Sequence, residues 1–258
     1  MIEYKIYQPW STFLMHVKLS DNHLQDLIEL TDNIIADKNA VDYGDKLAGQ
    51  IDTELEIESD LFMKGEIGNY FRSIYKAYID ELWTQAFPFI NQSSPGEIPD
   101  KPSQIIIQSS WVVSQKDNEY NPNHIHTNAK LSSVLYLKIP KYLPSRKAKG
   151  EYEISGELDA CIQFTNVSSS CFQQDTARLL TVQPEAGDFF IFPATQYHQV
   201  YPFRTADGKG ERRSVSMNVE FGYPEGSPEA EGYFIRPAMV DLGELIEKEN
   251  SRVGYQKF

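Results

Sequence analysis

Apolar residues in the first hundred positions recur at helical spacing. After Ser20, which can act as an N-cap, they fall at Leu24, Leu27, Ile28, Ile34 and Ile35. A second and wider stripe runs from Leu61 to Trp83, and we expect Gly65 and Gly68 to break its first turns. A stripe of that width is typical of a helix face buried by packing. The pattern predicts that residues 1–100 form a helical layer on the outside of a core.

From residue 104 onward the pattern changes to short runs of β-branched and aromatic residues, separated by Gly, Pro, Asn and Asp. The predicted strands are 104–115, 131–139, 161–165, 177–183, 188–192 and 212–221. Short strands separated by turns favour a sandwich or jelly roll, so the chain is predicted to be mainly β with flanking helices. We expect one domain over residues 1–258, with a β-core over 104–221 and a C-terminal extension over 222–258 that contains a short helix near 240–249.

Charge and cysteine content narrow the function classes. The 258 residues include 24 Lys plus Arg against 37 Asp plus Glu, a net charge of −13, which disfavours general nucleic-acid binding. The apolar runs are too short to span a bilayer, and the N-terminus lacks the pattern of a signal peptide. Cys161 and Cys171 lack the spacing of a zinc or redox motif, and reduced thiols are favoured over a disulfide. We expect a soluble, cytoplasmic protein.

Three of the five histidines are candidate metal ligands. His124 and His126 follow the turn sequence Asn121-Pro122-Asn123, and residues i and i+2 of a strand point to the same face, so both rings should project together from a strand entrance. His198 lies 72 residues after His126, at the start of another predicted strand. A His-x-His pair alone is common by chance, and the third histidine strengthens the interpretation. Three ligands on one face of an octahedral ion would leave room for a bidentate cofactor and dioxygen.

The strand predicted over 212–221 alternates between polar and apolar residues. Its polar face carries Arg212, Ser214, Ser216 and Asn218. Either this face lies in water, or it lines the lumen of a barrel. In the second case Arg212 would bind a carboxylate through a two-pronged hydrogen bond, and Ser214 would donate to the same group. The two interpretations predict opposite exposure of Arg212, whereas Arg213 should point the other way.

Taken together, these motifs resemble the non-haem iron(II), 2-oxoglutarate-dependent oxygenases, a superfamily with a double-stranded β-helix (a cupin-like jelly roll). Within it, they resemble a branch found in bacteria and phages that carries His-x-His in place of His-x-Asp. The resemblance covers about residues 104–221. It is carried by Trp111, His124-Ile125-His126, the segments 131–137 and 187–193, His198, and Arg212-x-Ser214-x-Ser216-x-Asn218.

The resemblance implies that Fe(II) is bound by His124, His198 and a third ligand from position 126. Either His126 is this third ligand, or His126 does not bind the metal. In the second case a carboxylate from elsewhere or a water molecule completes the set. 2-Oxoglutarate would chelate the metal, and its far carboxylate would pair with Arg212 and Ser214. The implied reaction releases succinate and CO2 and hydroxylates an unidentified small molecule or peptide.

Three tyrosine and asparagine residues near these motifs are further candidates for contacts with cofactor or substrate. They are Tyr136, which is the main candidate although its position also suits the core, and Tyr120 and Asn128.

Two other functions remain open at this stage. One is a cupin-like metalloprotein or three-histidine dioxygenase that does not use 2-oxoglutarate, since the segment from Gly187 to His198 resembles the second cupin motif. The glutamate that usually follows the first cupin motif is missing after His126, and such a protein has no need of a buried Arg212. The other is a non-catalytic jelly roll that binds a partner or assembles into a particle. The candidate specificity loops, 140–157 and 167–174, contain no readable substrate code.

Overall fold

The computed structural model describes residues 13–58, 60–63, 65–93, 101–143, 158–166, 179–223 and 225. Within these ranges the strands are β1 (Met15–Lys18), β2 (Glu54–Ile57), β3 (Gln104–Lys116), β4 (Asn121–His124), β5 (Leu131–Lys138), β6 (Ile162–Thr165), β7 (Leu179–Val182), β8 (Asp188–Pro193), β9 (His198–Val200) and β10 (Glu211–Gly222). The helices are α1 (Asp21–Ala36), α2 (Asp60–Met63) and α3 (Gly65–Ser93). The predicted C-terminal helix, Cys171 and most of both predicted specificity loops lie outside the described residues.

The strands form two antiparallel sheets that face each other. The larger sheet has the order β1-β8-β5-β10-β3-β2, and the smaller one has the order β4-β9-β6-β7. From β3 to β10 the chain passes repeatedly between the sheets, so that β3, β10, β5 and β8 lie opposite β4, β9, β6 and β7. This winding is a double-stranded β-helix, as predicted.

The helices cover the outer face of the larger sheet. Phe71 on α3 meets Phe189 on β8 edge to face, with ring centres 5.4 Å apart, and both side chains are fully buried. Gly65 is the first residue of α3, and its φ of 68°, which glycine adopts without strain, accompanies the break between α2 and α3 that was expected there. Gly68 lies within α3, so the expectation that it breaks the helix is wrong. None of the described helices is both long and apolar enough to cross a membrane.

Two strands precede residue 100, where the apolar pattern predicts only helices. β1 pairs with β8 and β2 pairs with β3, so the N-terminal segment extends the larger sheet at both edges. Each strand is four residues long, and alternation over four residues is too short to distinguish a strand from a loop. In β2, Ile57 packs in the core beneath the helices, and Glu54 projects to the opposite face, inside the β-helix.

The register of β10 assigns its two faces. Ser214 lies opposite Val113 on β3 and Tyr136 on β5, and directly opposed residues of antiparallel strands point to the same side. The even-numbered positions of β10 therefore face the interior of the β-helix, whereas Val215 and Met217 are fully buried beneath the helices. The predicted bounds of β10 and of β3 are correct to within one residue at each end.

Candidate metal centre and cofactor pocket

Strands β4 and β9 bring two histidines face to face. His124 pairs directly with His198, and Asn121 pairs with Val200. Two residues of β4 therefore oppose a single residue of β9, which is a β-bulge. Because of this bulge, Asn121 and His124 both line the interior although they are three positions apart. His124 is thus the last residue of β4, and the prediction that it stands at a strand entrance is wrong.

His126 reaches the same point from outside the strand. Its backbone N–H donates to the carbonyl of Ala194 at 2.8 Å, which holds the segment after β4 against the end of β8. Its ring stacks on that of His198 with centres 5.2 Å apart and planes 8° apart. The expected convergence of His124 and His126 is therefore present, but a backbone contact produces it rather than the period of a strand.

The three imidazoles form one cluster in which the potential ligand nitrogens lie within 4.8 Å of one another. Nδ1 of His124 is 2.7 Å from the carbonyl oxygen of Pro122, and Nδ1 of His198 is 2.9 Å from that of Gln196. A carbonyl can only accept, so each Nδ1 carries the proton. The Nε2 lone pairs are left free, which is the arrangement that orients metal-binding histidines.

Burial keeps these rings neutral. It lowers the pKa of His126 to about 3, with a further contribution from His124. Burial and repulsion from His124 and His126 likewise lower the pKa of His198 to about 3, and burial lowers the pKa of His124. A neutral imidazole is the form that binds metal. Among the described residues the cluster consists of the three histidines and no carboxylate joins it.

The cluster opens into a cavity of about 370 Å³ between the sheets. Side chains from the inner faces of β3, β5 and β10 form the wall that continues away from the histidines. They include Trp111, Val134, Tyr136, Ser214, Ser216 and Asn218. The trio of Ser214, Ser216 and Asn218 therefore lines the interior, as the barrel interpretation requires, and Asn128 also lines it. Tyr120 is 42% exposed and does not contribute.

Arg212 is a buried cation whose contacts in the described chain are all neutral. Arg212 is only 1% exposed, so the interpretation that the polar face of β10 lies in water is wrong. Nε and Nη2 donate to Oε1 of Gln115 at 3.2 and 2.5 Å, Nη2 also donates to the carbonyl of Tyr201 at 3.3 Å, and Nη1 donates to the carbonyl of Ala160. The guanidinium carbon lies 5.8 Å from the ring centre of Tyr136, which does line the cavity.

Several polar atoms around the cavity lack a partner in the described part of the chain. They are the hydroxyls of Tyr136 and Ser132 and the side-chain oxygen of Asn218. Burial raises the pKa of Tyr136 to about 12, although the nearby Arg212 opposes this, so its phenol keeps its proton and can donate. Buried polar atoms normally have hydrogen-bond partners, so this wall has the properties of a ligand site.

The N-terminal segment also contributes to the cavity, which the pattern of its residues did not predict. Tyr43, Lys46 and Glu54 line the cavity on the side of β2. Tyr43 stacks on Trp111 with ring centres 5.2 Å apart. The alternation in Glu54-Leu55-Glu56-Ile57 is the one local signal that could have placed Glu54 on an inner face.

Comparison with protein families gives one match. Residues 109–218 match a family described as "Putative 2OG-Fe(II) oxygenase". Over these residues the chain is therefore similar in sequence to the 2OG-Fe(II) oxygenases. The matched stretch begins two residues before Trp111 and includes the three histidines, Arg212 and Ser214. The family description specifies Fe(II) and 2-oxoglutarate, the cofactor and co-substrate expected from the sequence.

The chain is also similar to several solved structures. A prolyl-4-hydroxylase from Pseudomonas putida covers 82% of this chain and 92% of its own, with 13% identity and a TM-score of 0.45. A prolyl hydroxylase from Trichoplax adhaerens, in complex with a hypoxia inducible factor peptide fragment, covers 81% and 83%, with 10% identity and a TM-score of 0.46. AviO1 from Streptomyces viridochromogenes covers 83% and 91%, with 9% identity and a TM-score of 0.46. No curated protein matches the sequence.

Proposed function

We propose that this oxygenase binds Fe(II) through His124, His126 and His198 and uses it, with 2-oxoglutarate, to hydroxylate a small molecule or a peptide. The observation that carries the proposal is the position of two features around one cavity. Three neutral imidazoles converge at one side, and Arg212, which is buried and has no counter-charge among the described residues, lies beside the tyrosine that lines another.

The histidine cluster fits a ferrous ion. Two rings are fixed by Nδ1–H hydrogen bonds to backbone carbonyls, and all three are kept neutral by burial. Imidazole is a suitable ligand for iron, and three ligands leave further coordination positions open. With His126 in place of a carboxylate, the protein ligands contribute no negative charge to the metal.

The opposite wall fits the far carboxylate of 2-oxoglutarate. A carboxylate beside Tyr136 would accept a hydrogen bond from its unpartnered phenol and would neutralise Arg212. Ser214 lies opposite Tyr136 in the sheet register and lines the same cavity, so its hydroxyl can donate to the same group. When bound, Fe(II) would allow dioxygen, the oxidant, to convert 2-oxoglutarate to succinate and CO2, with one oxygen atom entering succinate and the other converting a C–H bond of the substrate to a C–OH group.

A three-histidine dioxygenase that does not use 2-oxoglutarate would account for the metal ligands but not for the other wall. Burying a guanidinium without an anion costs several kcal/mol, and such an enzyme gains nothing in return. A non-catalytic jelly roll would leave both the histidine cluster and Arg212 without a role.

Anaerobic titration of the metal-free protein tests the proposal. We expect Fe(II) to bind at one equivalent, and subsequent addition of 2-oxoglutarate to produce a metal-to-ligand charge-transfer absorption band. Succinate, which lacks the keto acid group, is the matched control and should produce no band. Stoichiometric iron binding without a band on addition of 2-oxoglutarate would favour the three-histidine dioxygenase instead.

A further inference from the structure

The cavity contains one carboxylate that the cofactors do not use. Glu54 is 2% exposed, lines the same cavity as the histidine cluster, and has no hydrogen bond or ion pair from its side chain within the described chain. Burial, together with the nearby charges of Glu119 and Asp42, raises the pKa of Glu54 to about 7. An isolated buried carboxylate is costly, so it is expected where a ligand compensates it.

Position distinguishes Glu54 from the metal ligands. It is not part of the histidine cluster, and its neighbours in space include Gly49 and Asn121. A methyl group added at Gly49 would lie 3.1 Å from Oε1 of Glu54 and 2.5 Å from the side-chain oxygen of Asn121. Two oxygen acceptors therefore converge beside a backbone that has no side chain to fill the space.

The adjacent wall of the cavity is aromatic. Tyr43 and Trp111 stack on each other and both line the cavity on this side. The ammonium group of Lys46 lies 4.3 Å from the centre of the Tyr43 ring, so a cation of the chain already occupies a face of this ring. The contacts for a ligand on this side therefore come from the oxygens of Glu54 and Asn121, and two oxygen acceptors suit an ammonium group, which has three donors and no acceptor.

We propose that the substrate of this oxygenase carries an ammonium group, which is bound by Glu54 together with the side-chain oxygen of Asn121. The inference rests on the proposed function only in taking this cavity as the substrate site. The ammonium group belongs either to a small amine or to a lysine side chain in a peptide, and the same carboxylate would recognise both.

Binding of two matched probe pairs to the full chain tests this proposal, without iron or 2-oxoglutarate, by ligand-detected NMR. The first pair is benzylamine and benzyl alcohol. The second is Nα-acetyl-lysine amide and Nα-acetyl-norleucine amide. We expect the charged member of at least one pair to bind about 10-fold to 150-fold more tightly, the range for a hydrogen bond to a charged group. The pair that shows this preference identifies the source of the ammonium group.

Glu54→Gln should abolish the preference, because it removes the charge and keeps the shape. Glu56→Gln is the matched control, since this exposed carboxylate lies two residues along the same strand and outside the cavity. Gly49→Ala gives a second route that retains the charge, because the added methyl would crowd the Glu54 carboxylate, and it should reduce the preference. Equal binding of amine and neutral probes by the wild type, or an unchanged preference in Glu54→Gln, would overturn the proposal.

The cofactor titration separates this result from the fate of the proposed function. An amine preference that depends on Glu54, in a protein that shows no charge-transfer band, would support the ammonium site and reject the oxygenase mechanism. A normal band in a protein without any amine preference would reject the ammonium site alone.

Discussion

The two faces of β10 carry neighbouring arginines that are compensated in opposite ways. Arg212 points into the β-helix and Arg213 points toward the helices, and both residues are almost fully buried, at 1% and 4% exposure. Arg213 is paired with two carboxylates, at 2.6 Å from Glu211 and in direct contact with Asp32 on α1. Arg212 contacts only neutral oxygens among the described residues.

The difference separates a structural charge from one suited to a ligand. The carboxylates that compensate Arg213 belong to the chain, and its pair with Asp32 joins the helical layer to the sheet. Hydrogen bonds from Lys138 and then Arg213 lower the pKa of Asp32, so this ion pair is present at neutral pH. Arg212 has hydrogen bonds but no counter-charge in the described chain. Burial alone therefore does not identify a binding residue, whereas burial without a counter-charge does.

The largest effect is expected at the histidine end of the interior face. His198→Ala removes a ligand from the cluster, and we expect Fe(II) affinity to fall by at least about 100-fold, since even residues that only orient ligands contribute 10–100-fold. Metal analysis after anaerobic loading measures this, with His23→Ala on α1 as the control. If His198→Ala retained one equivalent of iron, the iron would bind elsewhere, and the histidine cluster on the interior face would not be the metal site.

Arg212→Ala is expected to weaken 2-oxoglutarate binding by about 10-fold to 150-fold, or ~1.5–3 kcal/mol, because it removes a charge-assisted hydrogen bond to the carboxylate. Anaerobic titration of the iron-loaded variant gives the dissociation constant. Iron binding should be unchanged, since Arg212 does not contact the histidines in the structure. An unchanged affinity for 2-oxoglutarate would mean that the neutral contacts of Arg212 are its whole role.

Arg213→Ala should produce the opposite result. We expect a loss of about 2–3 kcal/mol in the free energy of unfolding, less than for a fully buried pair because Asp32 is half exposed. Urea denaturation of the metal-free protein measures it. The affinity for 2-oxoglutarate should stay within about twofold of the wild type, and a tenfold loss there would show that the two faces of β10 are not functionally separate.

The sequence predicted the faces of β10 because its alternation is long. Twelve residues with a period of two leave little doubt about which side chains share a face, and the register confirms Arg212 and Ser214 on the inner one. The neutral environment of Arg212 could not be predicted. Two of its acceptors are the carbonyls of Ala160 and Tyr201, which come from separate parts of the chain and leave no mark on the side-chain pattern.

The residues of the histidine cluster could be predicted from the sequence, but the way the backbone brings them together could not. The identity of His124, His126 and His198 as one cluster followed from their number and their place near strands. The bulge in β4 and the contact between His126 and Ala194 did not, because both depend on backbone pairing across the two sheets. Glu54 was missed for a similar reason, since its four-residue strand is specified by pairing with β3 rather than by its own residues.

Glu54 is a buried negative charge on the interior side, as Arg212 is a buried positive one. Its substitution is expected to have the smallest effect, a change in stability with pH. Its pKa is raised to about 7 from an ordinary value of 4.5. Between these values the folded protein retains a proton that the unfolded chain has released, so stability falls as the pH rises through this window and stays low above it. Glu54→Gln does not ionise, and its stability relative to the wild type should increase by about 1–2 kcal/mol between pH 5 and pH 8.

Urea denaturation of the metal-free protein at the two pH values measures this change. Glu56→Gln, which alters an exposed carboxylate on the same strand, should differ from the wild type by the same amount at both. If Glu54→Gln behaves like this control, Glu54 is solvated or compensated within the chain, as Arg213 is. If the stability of Glu54→Gln relative to the wild type rises with pH as expected, then the interior of the β-helix contains an anion without a counter-charge. Together with Arg212, it would place two such opposite charges at separate positions around one cavity.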